Sequence, residues 1–487
     1  MNIQRLAKPS FLAALLLVAS ALAAMPPAVA SEEGSGLRLA VFSADATPPI
    51  GSPVAYAKTR SITDPLFAKG IVLLGAGEPI VLCSVDFIVI ANQGHDAWRE
   101  ALAEAAGTSP GRVAVQVVHQ HDGPRCDFGA EAIAKEAGLG GLRQDDAFLH
   151  RTIAATSAAL RESLGSARPV THLGTGVAEV EKVASNRRLL GPDGKVAIAR
   201  SSSYRIPEPI LSRLIKAARR QGYELSATRV EEAIAAPEGV IDPELKMVTF
   251  FDGEDPIASL SYYATHPQSF FGEGDVTSEF VGIARSRIEK ERSGLPLVHF
   301  NGGAGNIAAG KYNDGTPELR VILTDRMADG MRRAWEATER RPLEPSQVEW
   351  RVVPVSLPVP DHLDETALRA TLADESLPDT SRLAAAGKLS YLLRTKAGHR
   401  IELSNLRLGP VDILHFPGEL FVEYQLAAQE SHPDRIICMA AYGDGGPGYI
   451  GTEISYDEGG YETQPSSTNV APEVEGVLMQ ALDELLR

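Results

Sequence analysis

The sequence predicts an α/β or α+β fold, with a mixed-sheet catalytic domain whose reactive side chains lie at strand ends. Short hydrophobic segments of strand length alternate with amphipathic segments of helical length, which favours this class over an all-β sandwich. The 487 residues are 44% hydrophobic and 23% charged, as is ordinary for a large globular enzyme. Several strand-like stretches end in a histidine or glutamate beside Gly or Pro, where α/β enzymes commonly hold active groups.

The first 30 residues are predicted to be a secretory signal peptide rather than part of the fold. Two basic residues precede an apolar run over 11–24, and small residues offer a cleavage site after Ala30. No later segment has the roughly 18 uninterrupted apolar residues that a membrane span needs. We therefore expect 31–487 to be a catalytic domain that is secreted or periplasmic, without a transmembrane segment.

Net charge and cysteine content limit the binding partners and the means by which the core is stabilised. The net charge of −16 at pH 7 argues against a nucleic-acid partner and against binding to anionic lipid. The three cysteines, Cys83, Cys126 and Cys438, are too few for a disulfide framework, so packing must hold the core. The sequence neither requires nor excludes a disulfide between Cys126 and Cys438.

The elements can be predicted in chain order from periodicity and breakers. Strands are expected over 71–75, 80–90, 112–119, 170–180, 247–252, 258–264, 295–300, 351–359 and 403–417. Helices are expected over 96–106, 146–165, 210–221, 230–236, 277–292, 317–339 and 419–430, the sixth of these capped by Thr316. Candidate insertions lie near 189–241 and 361–388, the second an exposed helical excursion, and no internal repeat is evident.

The strand over 112–119 ends in His119, Gln120 and His121, followed by Asp122 and a Gly-Pro breaker. Alternate residues of a strand point to the same side, so the two imidazoles can reach one site. That geometry suits two metal ligands, or one ligand beside one proton carrier. A strand end with surface histidines is the alternative.

Two other strand ends and one loop carry residues of the same kind. His266 precedes a proline, Glu419 follows a Pro-Gly pair, and the glycine-rich loop over 443–460 holds Tyr449, with Tyr461 just beyond it. Two imidazoles, one carboxylate and an open position form a familiar catalytic zinc shell. The alternatives are a Glu419 that interacts with a helix dipole and tyrosines that only pack in the loop.

These motifs, in this order, resemble those of the neutral, non-lysosomal ceramidases, a family of secreted zinc amidases. The family's His-Thr-His-Ser-Gly-Pro is similar to 119–124, its second histidine segment to 264–266 and its Pro-Gly-Glu to 417–419. Its Tyr-Val-Thr-Thr resembles 449–452, with a second tyrosine 12 residues after the first at Tyr461. The family's start is similar to 44–49 and 64–68, so the resemblance runs from about residue 38 to 465.

The resemblance implies a role for each candidate residue. The zinc ligands would be His119, His266, Glu419 and Tyr449. His121 would be a proton carrier or substrate contact, and Tyr461 would donate a hydrogen bond to the developing oxyanion. Arg187 or Arg188 would polarise the scissile amide, because the segment over 186–188 resembles an Asn-Arg segment of the family. Ion pairing within the protein is the alternative for both arginines.

The sequence departs from the family in two respects. Asn306 falls where the family has a serine, and an amide cannot be acylated, so metal-activated water is the predicted nucleophile. Asn306 would then be a hydrogen-bonding contact, or a residue chosen for a glycine-rich turn. The family usually adds a C-terminal immunoglobulin-like domain, which we do not expect here, and this argues against ceramide as the substrate.

The sequence therefore predicts an exported, zinc-dependent hydrolase that cleaves an amide (N-acyl) bond in a small-molecule or lipid-like substrate. An ester or lactone hydrolase with the same site is one alternative, because zinc activates water whatever the leaving group. A non-catalytic binding protein that retains the fold is the other.

Overall fold

The computed structural model describes residues 36–203, 227–270 and 272–487. The predicted signal peptide over 1–30 and the predicted helix over 210–221 lie outside the described residues. From Gly36 to Arg487 the chain forms one compact unit. Its described helices span Gln93–Ala106, Phe128–Glu136, Asp146–Ser163, Ala227–Ala235, Glu279–Glu291, Pro317–Glu336, Glu365–Ala373, Asp379–Lys396, Val422–Ser431, Glu453–Glu458 and Val474–Leu486. Among them we find none with the length and apolar character that a membrane crossing requires.

Three mixed sheets share one pattern of strand pairing. The N-terminal sheet has the order Val113–Val117, Ile80–Val85, Phe67–Leu74, Leu37–Asp45 and Arg168–Val170. The central sheet has the order Leu297–Asn301, Asp255–Tyr263, Glu244–Asp252, His172–Glu179 and Glu339–Pro342. The C-terminal sheet has the order Ile436–Ala440, Val411–His415, Ile401–Leu408 and Val348–Val355. In each sheet the first pair is parallel and the remaining pairs are antiparallel.

Each sheet is built around the same unit, which we call the ββαβ unit. It consists of an antiparallel strand pair, a short two-residue strand, a helix and a third strand parallel to the second. The first, second and third units span 67–117, 244–301 and 401–440. The sequence shows no internal repeat, and the three units share their topology rather than a pattern of residues.

The three third strands meet at their carboxyl ends. The backbone N–H of Val117 donates to the carbonyl of Tyr442 at 2.9 Å, and that of Ala441 donates to the carbonyl of Asn301 at 2.9 Å. The side-chain amide of Asn301 donates to the carbonyl of Val118 at 3.2 Å. These bonds link all three units, so residues that follow the strands are brought to one place.

Several predicted elements differ from the structure in their bounds. The predicted strand over 403–417 is a hairpin, in which Gly409 turns the chain with a φ of 58°. Glu419 lies in the short strand Glu419–Leu420 and the helix begins only at Val422, so Glu419 is not a residue of the first helical turn. Thr316 occupies the N-cap position of Pro317–Glu336 without a side-chain capping bond.

The predicted helical excursion over 361–388 is two helices, Glu365–Ala373 and Asp379–Lys396. The second is not an exposed excursion, because Leu383 and Ala386 are buried in a small core with Ala134 and Leu139. The sequence of this segment does not reveal its buried face, because small alanines rather than large apolar side chains supply much of that face. The three cysteines are buried free thiols, and Cys126 and Cys438 are not bridged.

Candidate metal centre

Three buried histidines converge where the units meet. His119, His121 and His266 each place one ring nitrogen within 4.8 Å of the other two, and all three are buried. The Nε2 atoms of His119 and His121 are 3.3 Å apart. These three side chains could hold a metal ion, and no other group of three such residues was found among the described residues.

The ring orientation of two of these histidines is fixed by backbone carbonyls. The Nδ1 of His119 donates to the carbonyl of Ile88 at 2.6 Å, and the Nδ1 of His266 lies 2.7 Å from the carbonyl of Ala304. A carbonyl oxygen can only accept, so Nδ1 carries the hydrogen in both rings and Nε2 presents a lone pair. Metal-bound histidines are held by the same kind of outer hydrogen bond.

Glu419 and Tyr449 reach the same point from the third unit and the loop that follows it. Oε2 of Glu419 lies 3.3 Å from Nε2 of His119 and 3.2 Å from Nε2 of His266. The hydroxyl of Tyr449 lies 3.4 Å from Nε2 of His266. The two residues are neighbours because Glu419–Leu420 pairs in parallel with Tyr449–Ile450.

The spacing of these donors fits a tetrahedral metal. Two ligands about 2.0–2.1 Å from a zinc ion and separated by a tetrahedral angle are ~3.3–3.4 Å apart. The measured separations from Glu419 to the two imidazoles, and from Tyr449 to His266, are 3.2–3.4 Å. Oxygen and nitrogen donors of this kind are those that zinc prefers.

The charge state of the donors supports the same conclusion. Burial lowers the pKa of His266, so its ring is neutral at pH 7 and Nε2 is an acceptor. Lone pairs that face one another at 3.2–3.3 Å repel unless a cation lies among them. The donor set therefore suits a bound cation.

The backbone at His119 is held in an uncommon conformation. His119 has a φ of 66° and Tyr442 has a φ of 61°, both in the left-handed region. Their rings stack with centroids 4.5 Å apart at 27°. Left-handed backbone at residues with large side chains costs free energy and concentrates at functional sites.

Tyr56 is a site residue that the sequence analysis missed. Its hydroxyl lies 2.5 Å from Nδ1 of His121, and Nε2 of Gln268 donates to it at 3.3 Å. The residue as a whole is 39% exposed, so Tyr56 borders both the cluster and solvent. Tyr56 lies in an N-terminal loop between the segments 44–49 and 64–68, and the sequence analysis compared those two segments with the family without singling out this tyrosine.

Arg187 and Tyr461 border the cluster near Tyr449. Nη1 of Arg187 donates to the hydroxyl of Tyr449 at 3.3 Å, and its guanidinium lies 5.6 Å from the ring centroid of Tyr461. The Tyr461 ring is 42% exposed and meets the Tyr449 ring edge-on. Burial, with the charge of Glu419, raises the pKa of Tyr449 well above its usual value, so its hydroxyl is protonated.

Arg188 and Asn306 have partners within the protein rather than in the cluster. The guanidinium of Arg188 pairs with Glu458 at 3.0 Å and with Glu462 at 3.3 Å. Oδ1 of Asn306 accepts from the backbone N–H of Val422 at 3.0 Å, and its Nδ2 donates to both oxygens of Glu423. These contacts fix the glycine-rich loop and the start of Val422–Ser431.

Comparison with known proteins identifies the fold. No protein-family model and no curated protein sequence matches the chain. The solved structure of neutral ceramidase from Pseudomonas aeruginosa aligns with a TM-score of 0.61 at 16% identity, covering 92% of this chain and 74% of that chain. A structure of a ceramidase complexed with C2 aligns with the same TM-score and coverage at 15% identity. The predicted α/β class is confirmed, and the chain has a ceramidase-like fold.

Proposed function

We propose that this protein is a zinc-dependent hydrolase that cleaves the amide bond of an N-acyl substrate with metal-activated water. The observation that carries the proposal is the set of four donors from His119, His266, Glu419 and Tyr449, spaced at 3.2–3.4 Å along the contacts described above. The ceramidase-like fold supports a hydrolase.

A bound zinc ion would lower the pKa of a coordinated water to about 7 and would polarise the carbonyl to be attacked. His121 is positioned to hold a proton beside the reacting atoms, because Nε2 faces the cluster and Nδ1 contacts the Tyr56 hydroxyl. The Tyr56 hydroxyl, in turn, accepts from Gln268 and keeps the His121 ring in one orientation.

Tyr461 and Arg187 lie where a substrate would enter. The partly exposed Tyr461 can donate its hydroxyl hydrogen to the oxygen that gains negative charge when the amide carbonyl is attacked. Arg187 orients Tyr449 through its hydrogen bond, and its own guanidinium is held by an ion pair with Glu462 at 3.4 Å. Arg188 and Asn306 act indirectly. Arg188 holds the glycine-rich loop through Glu458, and Asn306 holds the start of the helix Val422–Ser431.

The proposed setting is outside the cytoplasm, after removal of a signal peptide at Ala30, and the proposed substrate is a small-molecule or lipid-like amide. The Pseudomonas protein of similar fold is a neutral ceramidase, which makes an N-acyl lipid the first class to test.

The first experiment measures the metal. Purified protein should contain about one zinc per chain by mass spectrometry, or take up one zinc after chelation and dialysis, and His119→Ala should lose it. His172→Ala is the matched control, since that half-buried imidazole hydrogen-bonds only its neighbour Thr171 among the described residues. Protein that neither contains nor takes up zinc would contradict the proposal.

The second experiment identifies the bond. Matched N-acyl amides, esters and lactones of one acyl chain should be assayed with the wild type, His119→Ala and His172→Ala. We expect amide hydrolysis that His119→Ala abolishes and His172→Ala retains. Activity on esters or lactones alone would replace the amidase with a hydrolase of that class. Zinc binding without any hydrolysis would favour a binding protein.

A further inference from the structure

The Arg125 guanidinium stands out among the half-buried cations because no acceptor in the described part of the chain binds it. Arg125 is half-buried at the start of the two-residue strand Arg125–Cys126. Across residues 36–203, 227–270 and 272–487 its side chain makes no hydrogen bond and no ion pair. A cation that is partly removed from water and has no partner in the protein is costly, and its donors remain open to an anion that comes from solvent.

The backbone places Arg125 beside the candidate metal centre. It follows His121 by four residues and pairs in parallel with Val89, next to Ile88, whose carbonyl holds the His119 ring. The carbonyl of Gly123, two residues before Arg125, accepts from Ala55, which precedes Tyr56 in the loop that contacts His121. Arg125 is thus flanked by the chain segments that orient two of the three histidines.

The charged and polar groups that affect the pKa of Arg125 agree with this placement. Burial lowers the pKa of Arg125, and the groups whose charges oppose that shift are Tyr56, Glu419 and Tyr461. Tyr56 and Tyr461 are the two partly exposed rings at the centre. Glu419 shares its charge with the imidazoles and lies beyond ion-pair distance of Arg125, so it does not neutralise the guanidinium.

Other buried arginines among the described residues bind acceptors of the protein. Arg285 binds both oxygens of Asp86 at 2.7–2.8 Å, and Arg394 pairs with Asp96 and Asp444. Arg200 donates to the backbone carbonyls of five residues, among them Asn186 at 2.6 Å. Arginines with a structural role in this fold therefore have acceptors, whereas the acceptor for Arg125 has to come from outside the chain.

We propose that Arg125 binds an anionic group of the substrate, a carboxylate or a phosphate, and so selects N-acyl amides that carry one. This inference rests on the proposed amide hydrolysis at the same centre. A guanidinium offers a planar fork of donors that matches a carboxylate or phosphate bidentately. An N-acyl amino acid places its carboxylate one carbon from the amide nitrogen, which suits a cation that borders the metal centre.

The test uses three amides with one lauroyl chain. N-Lauroylglycine carries a carboxylate, N-lauroyl-O-phosphoethanolamine carries a phosphate, and N-lauroylethanolamine is neutral. The zinc-loaded wild type should have a kcat/KM at least about 10-fold higher for one or both anions than for the neutral amide. Arg125→Met should lose at least about 10-fold on the preferred anion and less than about twofold on the neutral amide. Arg161→Met, an exposed arginine of Asp146–Ser163, is the matched control and should behave as the wild type.

Two further measurements keep the result decisive. Arg125→Lys retains the charge without the planar fork and should lie between the wild type and Arg125→Met, which also covers the case in which the methionine variant does not fold. Calorimetric binding of N-lauroylglycine should weaken at least about 10-fold in the variant even if no amide is cleaved. Cleavage of the neutral amide with no preference for anions would overturn the role of Arg125 while the amidase stands. Failure to cleave any amide, with binding that depends on Arg125, would overturn the amidase alone.

Discussion

The second ββαβ unit carries two buried histidines that differ in what surrounds them. His266 lies three residues beyond the strand Asp255–Tyr263, and His299 lies inside the neighbouring strand Leu297–Asn301. The Nδ1 of His299 is 2.9 Å from the hydroxyl of Ser261 on the adjacent strand. The Nδ1 of His266 is bound by carbonyls of the turn, and its Nε2 faces Glu419.

This difference shows how position relative to a strand end separates a ligand from a core residue. Inside a strand the side-chain direction is set by the pleat, and the partner is whatever the next strand presents. Beyond the end, the chain leaves the ladder and the ring can turn toward the place where the three units meet. Burial lowers the pKa of both rings, that of His299 to about 3, so burial alone does not distinguish them.

The largest expected effect comes from His266→Ala. Loss of this ligand should reduce zinc to well below one per chain and lower the rate of hydrolysis by about 10³-fold or more, because the activation of water depends on the metal. Metal content and kcat/KM on a cleaved substrate measure the two effects. A variant that retains stoichiometric zinc and activity would remove His266 from the centre and break the comparison.

His299→Ala should have the opposite profile. Removing this fully buried ring leaves a cavity and an unpaired Ser261 hydroxyl, so the free energy of unfolding should fall by about 2–4 kcal/mol. Urea denaturation measures the loss, and zinc content should stay at the wild-type value. If the variant instead lost zinc while its stability was unchanged, the assignment of the two histidines would have to be exchanged.

Strand ends were the part of the molecule that the sequence could reveal. Histidine and glutamate beside proline or glycine mark the point where a hydrophobic strand stops, so His119, His266 and Glu419 could be grouped from the sequence alone. The structure brings them together with Tyr449, and their roles as ligands remain predictions. The sequence could not predict that these residues converge, because their convergence depends on bonds between residues far apart in the chain, such as that from Asn301 to Val118.

The missed features have a common physical origin. Tyr56 and Arg125 lie in a loop and in a two-residue strand, and neither belongs to a periodic segment. The repeated topology was missed because a ββαβ unit constrains where strands and helices lie but leaves most of their residues free. The predicted strand over 403–417 hid a hairpin, since its turn around Gly409 contains only the pair Gly-Pro.

The pH dependence of the free energy of unfolding gives a further test of His299 as a buried core residue. Burial depresses the pKa of His299 to about 3, against about 6.5 in an unfolded chain. Between these values the unfolded state binds a proton that the native state does not, so the free energy of unfolding falls as the pH falls below about 6.5. The expected contribution is about 1.4 kcal/mol per pH unit.

Urea denaturation of the chelated protein at about pH 7.5, 6.0 and 5.0 measures this slope for the wild type and for His299→Gln. The variant should have the shallower loss of stability toward acid, and His172→Gln, a half-exposed control, should not differ from the wild type. Equal slopes for the wild type and His299→Gln would mean that His299 is protonated in the native state, which its burial argues against.

The smallest expected effect concerns the turn that follows the strand of His299. Asn306→Ala removes the acceptor for the N–H of Val422 and the donor for Glu423, so the free energy of unfolding should fall by about 1–2 kcal/mol. Asn306→Ser, which keeps a side-chain oxygen, should lose less. Zinc content should be unchanged in both variants, because Asn306 contacts the helix start rather than the donor cluster. A large loss of kcat/KM at unchanged stability would instead assign Asn306 to the substrate, and would extend the functional part of the second unit from His266 to both of its strand ends.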